Sequence, residues 1–435
     1  MNKKIKIQII SRSFPLKNNM YGRDAYILDF INYLQQVDCE LEYISISSTP
    51  IDKYPWCVTP SILRKPTKVR VRDNLHIGCI LLRFNVLSDW ITGPLRLIFH
   101  KLPQRLKNIF RIATQKIKRK YHRQITDIKN IKIRDWQDTV ATIQEISFAK
   151  AQIDRFKPDV VVVNYVYLAN ILDHLHTDKN ILKTILTHDV LHQRNAQLQK
   201  IGIAMHDGNW NLKAETAYLD KAQVLLAIQK EDAEAFKQMV TQAQVINMPI
   251  SAVSYSHTIK QIPGRCLFVG SNSQHNSYGL QWFLENVWLQ IIQKVPHSSL
   301  HVCGSVCDSI RGTFPNVRFL GRVKDLKPEY SAAEVCLVPL LAGSGLKIKL
   351  VEAMSYGRAC VSTSVGIQGL PEIVGKTVIQ ADIIDDFVTA VQTLLTDANK
   401  RQYMESQAYR YVSQKLSPKS SYQPFVDYIH QHFGR

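Results

Sequence analysis

The sequence predicts an α/β protein built of two doubly wound domains that face each other across a cleft. Three observations carry that expectation. Short apolar runs alternate with amphipathic segments along most of the chain, as strands alternate with helices in parallel sheets. One run, Val160-Val-Val-Val163, is continuous and β-branched, the composition of a strand buried on both faces. The length of 435 residues exceeds one small core and fits two domains of about 200 residues each.

Taken in order, residues 5–10 and 41–46 read as strands with a helix from Asp24 to Gln36 between them. The loop Ser11 to Arg23, with Gly22 in it, falls at the carboxyl edge of the first strand, where doubly wound sheets bind ligands. Residues 50–94 give no clear pattern. After the run at 157–168, Ile181 to Val190 is a second strand that ends in His188 and Asp189. Residues 210–240 read helix, strand, helix, with Glu215 ahead of the strand-like Ala222 to Gln229. Asn247 to Gly264, bracketed by Pro249 and Pro263, is the best linker, so residues 1–247 and 248–415 are taken as the two domains. The second opens with the strand at Cys266, a loop from Gly270 to Tyr278 and a helix from Leu280 to Gln293. Gly304 and Gly321 close later strands, and residues 382–396, 400–415 and 420–433 read as helices.

Composition is that of a soluble globular protein, 45% hydrophobic and 21% charged. The first ten residues form a strand too polar for a signal peptide, and no run of apolar residues is long enough to span a bilayer, so a cytoplasmic protein is expected. The eight cysteines are scattered and read as buried free thiols; Cys303 and Cys307 alone are close, and no metal site is expected. The net charge of +19 is concentrated: residues 96–134 hold thirteen Lys and Arg against Asp127. Within 95–134 apolar residues recur at three- and four-residue steps, with Pro103 as a break. Such a basic amphipathic segment fits an anionic membrane surface, and equally the core face of a solvated helix. Nucleic acid is not expected, because no recognition motif accompanies the charge.

The most informative stretch runs from Leu340 to Gly357, between apolar runs at 335–338 and 359–361. It reads as strand, glycine loop, helix, glycine stop, strand. Gly343 and Gly345 allow a close backbone approach to a ligand, and a helix starting near Leu346 presents N–H groups suited to phosphate. Lys347 and Lys349 add cations, and Glu352 could accept a hydroxyl pair such as a ribose. The same residues also fit an unliganded strand-to-helix connection in which Lys349 and Glu352 form an i,i+3 ion pair.

With Pro339 before it and Val361 to Leu370 after it, this stretch resembles the donor-site signature of the GT-B glycosyltransferases, family 4-like (glycosyl transferases group 1). The sequence from Asn164-Tyr165 through His188-Asp189-Val190 to Arg194 is similar to a bacterial polysaccharide-type branch. The resemblance implies two Rossmann-like domains in a GT-B arrangement, with the helix at 416–435 packing back on the first. It implies a nucleotide-sugar donor, a glycan or lipid-linked acceptor, retention of configuration, no metal and no cofactor. On that basis Gly343, Ser344, Gly345, Leu346, Lys347 and Lys349 hold the diphosphate and Glu352 the ribose. Gly270 and Asn276 border the donor, Arg322 and Val323 the base, with Tyr330 nearby. His188, Lys347 and Glu352 are the catalytic candidates, and Gly22, Asp189 and Arg194 the acceptor-side ones. Two departures stand out: Ser344 occupies the first position of the family's Glu-x7-Glu pair, and the loop after Gly270 carries no cation. Those departures keep two alternatives open, a sugar-nucleotide epimerase or lapsed homologue, and a non-enzymatic basic protein of membrane or nucleic acid.

Overall fold

Val160–Val163 lie in a strand buried at every position, and the sheet around it is parallel throughout, as burial on both faces requires. The computed structural model describes residues 4–14, 22–47, 56–64, 67–83, 139–175, 180–200, 210–255, 260–343 and 346–435. The basic segment 95–134, Ser344 and Gly345 lie outside the described residues. In the first sheet the strands run β10 (Gln244–Asn247), β9 (Val224–Ala227), β8 (Leu182–Leu186), β7 (Val160–Asn164), β1 (Ile5–Ser11), β2 (Cys39–Ser45) and β4 (Lys68–Val71). In the second they run β13 (Val317–Gly321), β12 (Ser299–Cys303), β11 (Arg265–Val269), β14 (Val335–Val338), β15 (Ala359–Ser362) and β16 (Val378–Gln380). The stretch left unread at 50–94 contains β3 (Trp56–Val58), β5 (Asn74–Ile77) and β6 (Ile80–Arg83), a small antiparallel sheet.

Strand order reverses between β7 and β1 in one sheet and between β11 and β14 in the other. At such switch points the connections leave on opposite faces and open a crevice at the carboxyl ends of the strands. Asn164 and Ser11 end the first pair, and the turns after β11 and β14 hold Gly270 and Gly343. Behind β11, Gly304 at φ +104° follows β12, and a Cβ on it would come within 2.1 Å of the Gly270 carbonyl. The two strand ends can therefore touch only through that glycine.

Several sequence boundaries shift. The helix expected from Leu280 begins at Gln274, because Ser273 already takes an extended, capping conformation and accepts at its carbonyl from the Ser277 N–H at 2.9 Å. The helix expected near Leu346 begins at Ile348 and ends at Ser355, with Lys347 as its extended cap residue. The first helix is Gly22–Leu34, two residues ahead of the expected span. Four cysteines, Cys266, Cys303, Cys336 and Cys360, are buried as expected, but Cys79 is exposed.

The last helix, Pro418–Phe433, packs on the helix Gly22–Leu34 of the first sheet's layer. Tyr422 meets Phe30 at 5.4 Å and Tyr33 at 5.6 Å between ring centroids, and its hydroxyl donates to Asp29 at 3.1 Å. Ser251, in the linker, donates to the same carboxylate, so helix, linker and C-terminus converge on one half-buried acid.

At the end of β1, Arg12 is 4% exposed. Its guanidinium makes a two-pronged pair with Glu145, both contacts 3.0 Å, and also donates to the carbonyls of Thr139 and Val140. Glu145 completes a capping box with Thr142 at the start of the helix Ile143–Phe156. Glu145→Ala would strand the buried guanidinium, and it should destabilise the protein by about 3–5 kcal/mol. The measurement is the urea midpoint of ligand-free protein at an unchanged m value.

Candidate functional site

The helix Ile348–Ser355 buries Leu350, Val351 and Met354 against the second sheet, which turns Lys349 and Glu352 toward the cleft side of β11. Lys349 does not pair with Glu352. Its ammonium donates to Asn276 Oδ1 and lies 5.2 Å from the Phe268 ring centroid. Glu352 instead accepts from the Tyr330 hydroxyl at 3.0 Å. Lys347 is 8% exposed and donates to Gln368 Oε1 at 3.1 Å. Gly343 takes φ +128°, a conformation open to glycine, and Lys347 and His275 flank it within 4 Å of where a Cβ would be.

Burial governs the charges here. It lowers Lys347 to about 8, although Asp232 and Asp189 oppose the change. Burial together with the neighbouring Lys347 lowers Lys349 to about 7. His275 is pushed down to about 4 by burial and by both lysines, so it adds no third positive charge at neutrality. Burial also raises Glu352, against the Tyr330 hydrogen bond and Lys349. An anion held between the lysines would supply countercharge to both.

His188 follows β8 and faces the same cleft from the first domain. Its Nε2 pairs with Asn164 Oδ1 at 2.7 Å, and its ring stacks on Tyr165 at 4.0 Å. That partner, Asn164, stands at the end of β7. Asp189 pairs with Arg194 at 3.0 Å. Tyr165 holds φ +86°, a strained conformation for a residue with a side chain, and its ring also stacks on Tyr167 at 4.8 Å. Behind them Glu215, fully buried, accepts from the backbone N–H of Leu191 and His192 and from the His192 ring, each at 2.8 Å. That carboxylate caps the helix Leu191–Lys200 and fixes the turn carrying His188 and Asp189.

Of the predicted positions, Lys347, Lys349, Glu352, Asn276, Gly270 and Gly343 gather at the β11–β14 switch point. Leu346, 8% exposed, packs in the core beneath it. Arg322 is exposed just beyond β13, and Val323 packs partly on the core. Gly22 opens the first helix. Ser344 and Gly345 are among the residues not described. Sequence reasoning named Asn164 and Tyr165 only as part of the family-like run, with no role at the site, and missed Asp232. Burial raises Asp232 to about 7, aided by Asp189 and Glu231, and only the fold brings it near Lys347.

A lysine lowered to about 7 or 8 is charged below that pH and neutral above it, so above that pH it must take up a proton to meet a phosphate. Affinity for a nucleoside diphosphate should fall from about pH 7 to about pH 9, by at most about tenfold per unit for each lysine involved. Lys349→Met should weaken binding at pH 7 and flatten that profile. Calorimetric titration across the range checks this; a wild-type affinity that rises with pH would contradict it.

Residues 263–397 match the family model described as glycosyl transferases group 1. No curated protein sequence matches the chain. Among solved structures, sucrose-phosphate synthase from Thermosynechococcus elongatus is similar with a TM-score of 0.63 at 14% identity, over 99% of this chain and 100% of that one. TarM gives a TM-score of 0.63 at 10% identity, over 98% and 99%. Anabaena HepE in complex with UDP gives 0.59 at 12% identity, over 98% and 100%. At such identities the structural likeness is one of fold, and that fold is GT-B. Residues 263–397 therefore carry the glycosyl transferases group 1 pattern, within a chain of the GT-B fold.

Proposed function

We propose that the protein transfers a sugar from a nucleotide-sugar to a glycan or lipid-linked acceptor in surface polysaccharide synthesis, with retention of configuration and without a metal. The observation that carries the reading is the convergence of two desolvated lysines, Lys347 and Lys349, with Glu352 on one helix at the β11–β14 switch point. The lysines meet the donor diphosphate and stabilise the charge that develops on it as the glycosidic bond breaks. They supply the countercharge a metal would otherwise bring. Glu352, oriented by Tyr330, accepts from the ribose hydroxyls. His188, held by Asn164 and Tyr165, contacts the donor sugar from the opposite domain, and closure of the cleft excludes water. Asp189, Arg194 and Gly22 lie on the acceptor side. Retention is supported by the resemblance of the 340–357 stretch alone. HepE is known in complex with UDP and with UDP-glucose, which makes uridine nucleotides the first to test.

No helix among the described residues is long and apolar enough to cross a membrane. The basic segment 95–134 supports, by its charge alone, a peripheral position on the cytoplasmic face of a membrane, where a lipid-linked acceptor is reached. Reversing Lys116, Lys118, Arg119 and Lys120 to glutamate should abolish co-sedimentation with phosphatidylserine vesicles, since each cation contributes about 1 kcal/mol at such a surface. Undiminished co-sedimentation would remove the membrane from the proposal.

The donor assignment is tested by melting the protein with nucleoside diphosphates and their sugar esters, for wild type and Glu352→Ala. A ligand at about 100 times its dissociation constant adds about 2.7 kcal/mol, a readily measured shift. One nucleotide should stabilise the wild type and lose most of that effect in Glu352→Ala. No response to any of them at millimolar concentration would refute the donor site.

A further inference from the structure

Three oxygens on the cleft edge of the first domain are buried without a donor. Gln229 and Asp232 are 6% and 7% exposed. Gln229 Nε2 donates to Asp232 Oδ1 at 2.6 Å, which leaves Gln229 Oε1 and Asp232 Oδ2 with no partner among the described residues. Asp189 Oδ1 is the third. Buried acceptors are nearly always satisfied, so Gln229 Oε1 and Asp232 Oδ2, unsatisfied on two residues that line a cavity, signal something that donates to them.

Gln229 and Asp232 line a cavity of about 500 Å³ between the two domains. Gln193 and Gln197, one turn apart on the helix Leu191–Lys200, form its outer wall, and Gln368 and Gln380 face them from the second domain. No lysine or arginine is among its described lining residues. Gln368 also accepts from Lys347, so the cavity begins one side chain away from the lysine pair. Carboxamides both donate and accept, as hydroxyl groups do. A phosphate or carboxylate would meet Asp232 and no countercharge, and an apolar ligand would leave the amides unpaired. Val190 and Ile367 add the small apolar surface that the C–H face of a pyranose ring covers.

We propose that this cavity is a sugar subsite that binds a neutral hexose unit through Asp232, Gln229, Gln193 and Gln368. The proposal rests on the glycosyltransferase reading given above and goes beyond it by naming where a sugar is held. The same chemistry serves the hexose of the donor and the hexose at the end of the acceptor. Asp232, raised toward neutrality by burial, can accept from or donate to a hydroxyl near pH 7.

Asp232→Asn keeps the oxygen that accepts from Gln229 and replaces the unpaired oxygen by a donor. Gln193→Leu removes an amide at the exposed mouth and guards against a folding defect at Asp232; the melting temperature of each ligand-free variant is compared with wild type. Full-length proteins are titrated with UDP, GDP, ADP, CDP and dTDP and with their glucose esters. Saturation-transfer NMR then follows methyl glucoside, galactoside and mannoside, with and without the nucleoside diphosphates. If the donor's sugar occupies the cavity, Gln193→Leu binds the bare diphosphate as wild type does, and in both variants the glucose ester loses about tenfold or more beyond any change in the bare diphosphate. If the acceptor's sugar occupies it, the glucose ester follows the bare diphosphate in both variants and the hexoside signal of the wild type is lost in both. Variants that alter neither ligand overturn the subsite. Hexoside binding that is lost in the variants, in a protein that binds no nucleotide, upholds the subsite and overturns the donor reading; a protein that binds neither overturns both.

Discussion

Two like charges held out of water set the terms for the rest of the molecule. Lys347 and Lys349 are both desolvated, and Lys347 makes Lys349 harder to protonate. A folded chain tolerates this only if neighbouring groups offer partial compensation and if a ligand later completes it. Asn276 and the Phe268 ring compensate Lys349; Gln368 and the more distant Asp189 and Asp232 compensate Lys347. Those acidic residues belong to the first domain, so the electrostatics of the lysine pair already spans the cleft. The site is formed by both domains at the level of charge, before any substrate bridges them.

The supporting structure is rigid where the chemistry requires it. Glu215 ties the His188 turn to two backbone N–H groups, and the Asn164 side chain fixes the imidazole from the neighbouring strand. The positive φ of Tyr165 lets a strand end turn its ring under His188. On the second domain a stack runs from Tyr255 of the linker through Tyr356 to Tyr330, with centroids 4.6 and 4.9 Å apart. Tyr330 in turn holds Glu352. The linker is thereby in mechanical contact with the carboxylate proposed to bind the ribose, which suits a site assembled by domain movement.

Much of this was legible in the sequence, for identifiable reasons. Parallel strands buried on both faces write themselves as β-branched runs, so β7 and β14 stood out, and the glycine loop with its lysines was visible because its residues are contiguous. The small antiparallel sheet at 56–83 was not, since its strands are three or four residues long and half exposed. The early start of the helix at Gln274 was hidden by Gly279, which falls between the loop expected to Tyr278 and the helix expected from Leu280. It sits inside the helix because a Cβ there would fall 2.3 Å from the Pro339 carbonyl, a packing reason with no local signature. Asp232, Gln229 and Gln368 escaped for a further reason: their association depends on two domains meeting, and no spacing along one chain encodes it.

The C-terminal helix has a consequence for biosynthesis. Tyr422 and Phe425 cover Phe30 and Tyr33, nearly four hundred positions earlier in the chain, and Asp29 waits for the Tyr422 hydroxyl across 393 residues. During vectorial synthesis the first sheet can form long before its outer helix is covered. That apolar surface stays open to solvent, and to holdase chaperones, while the entire second domain is being translated.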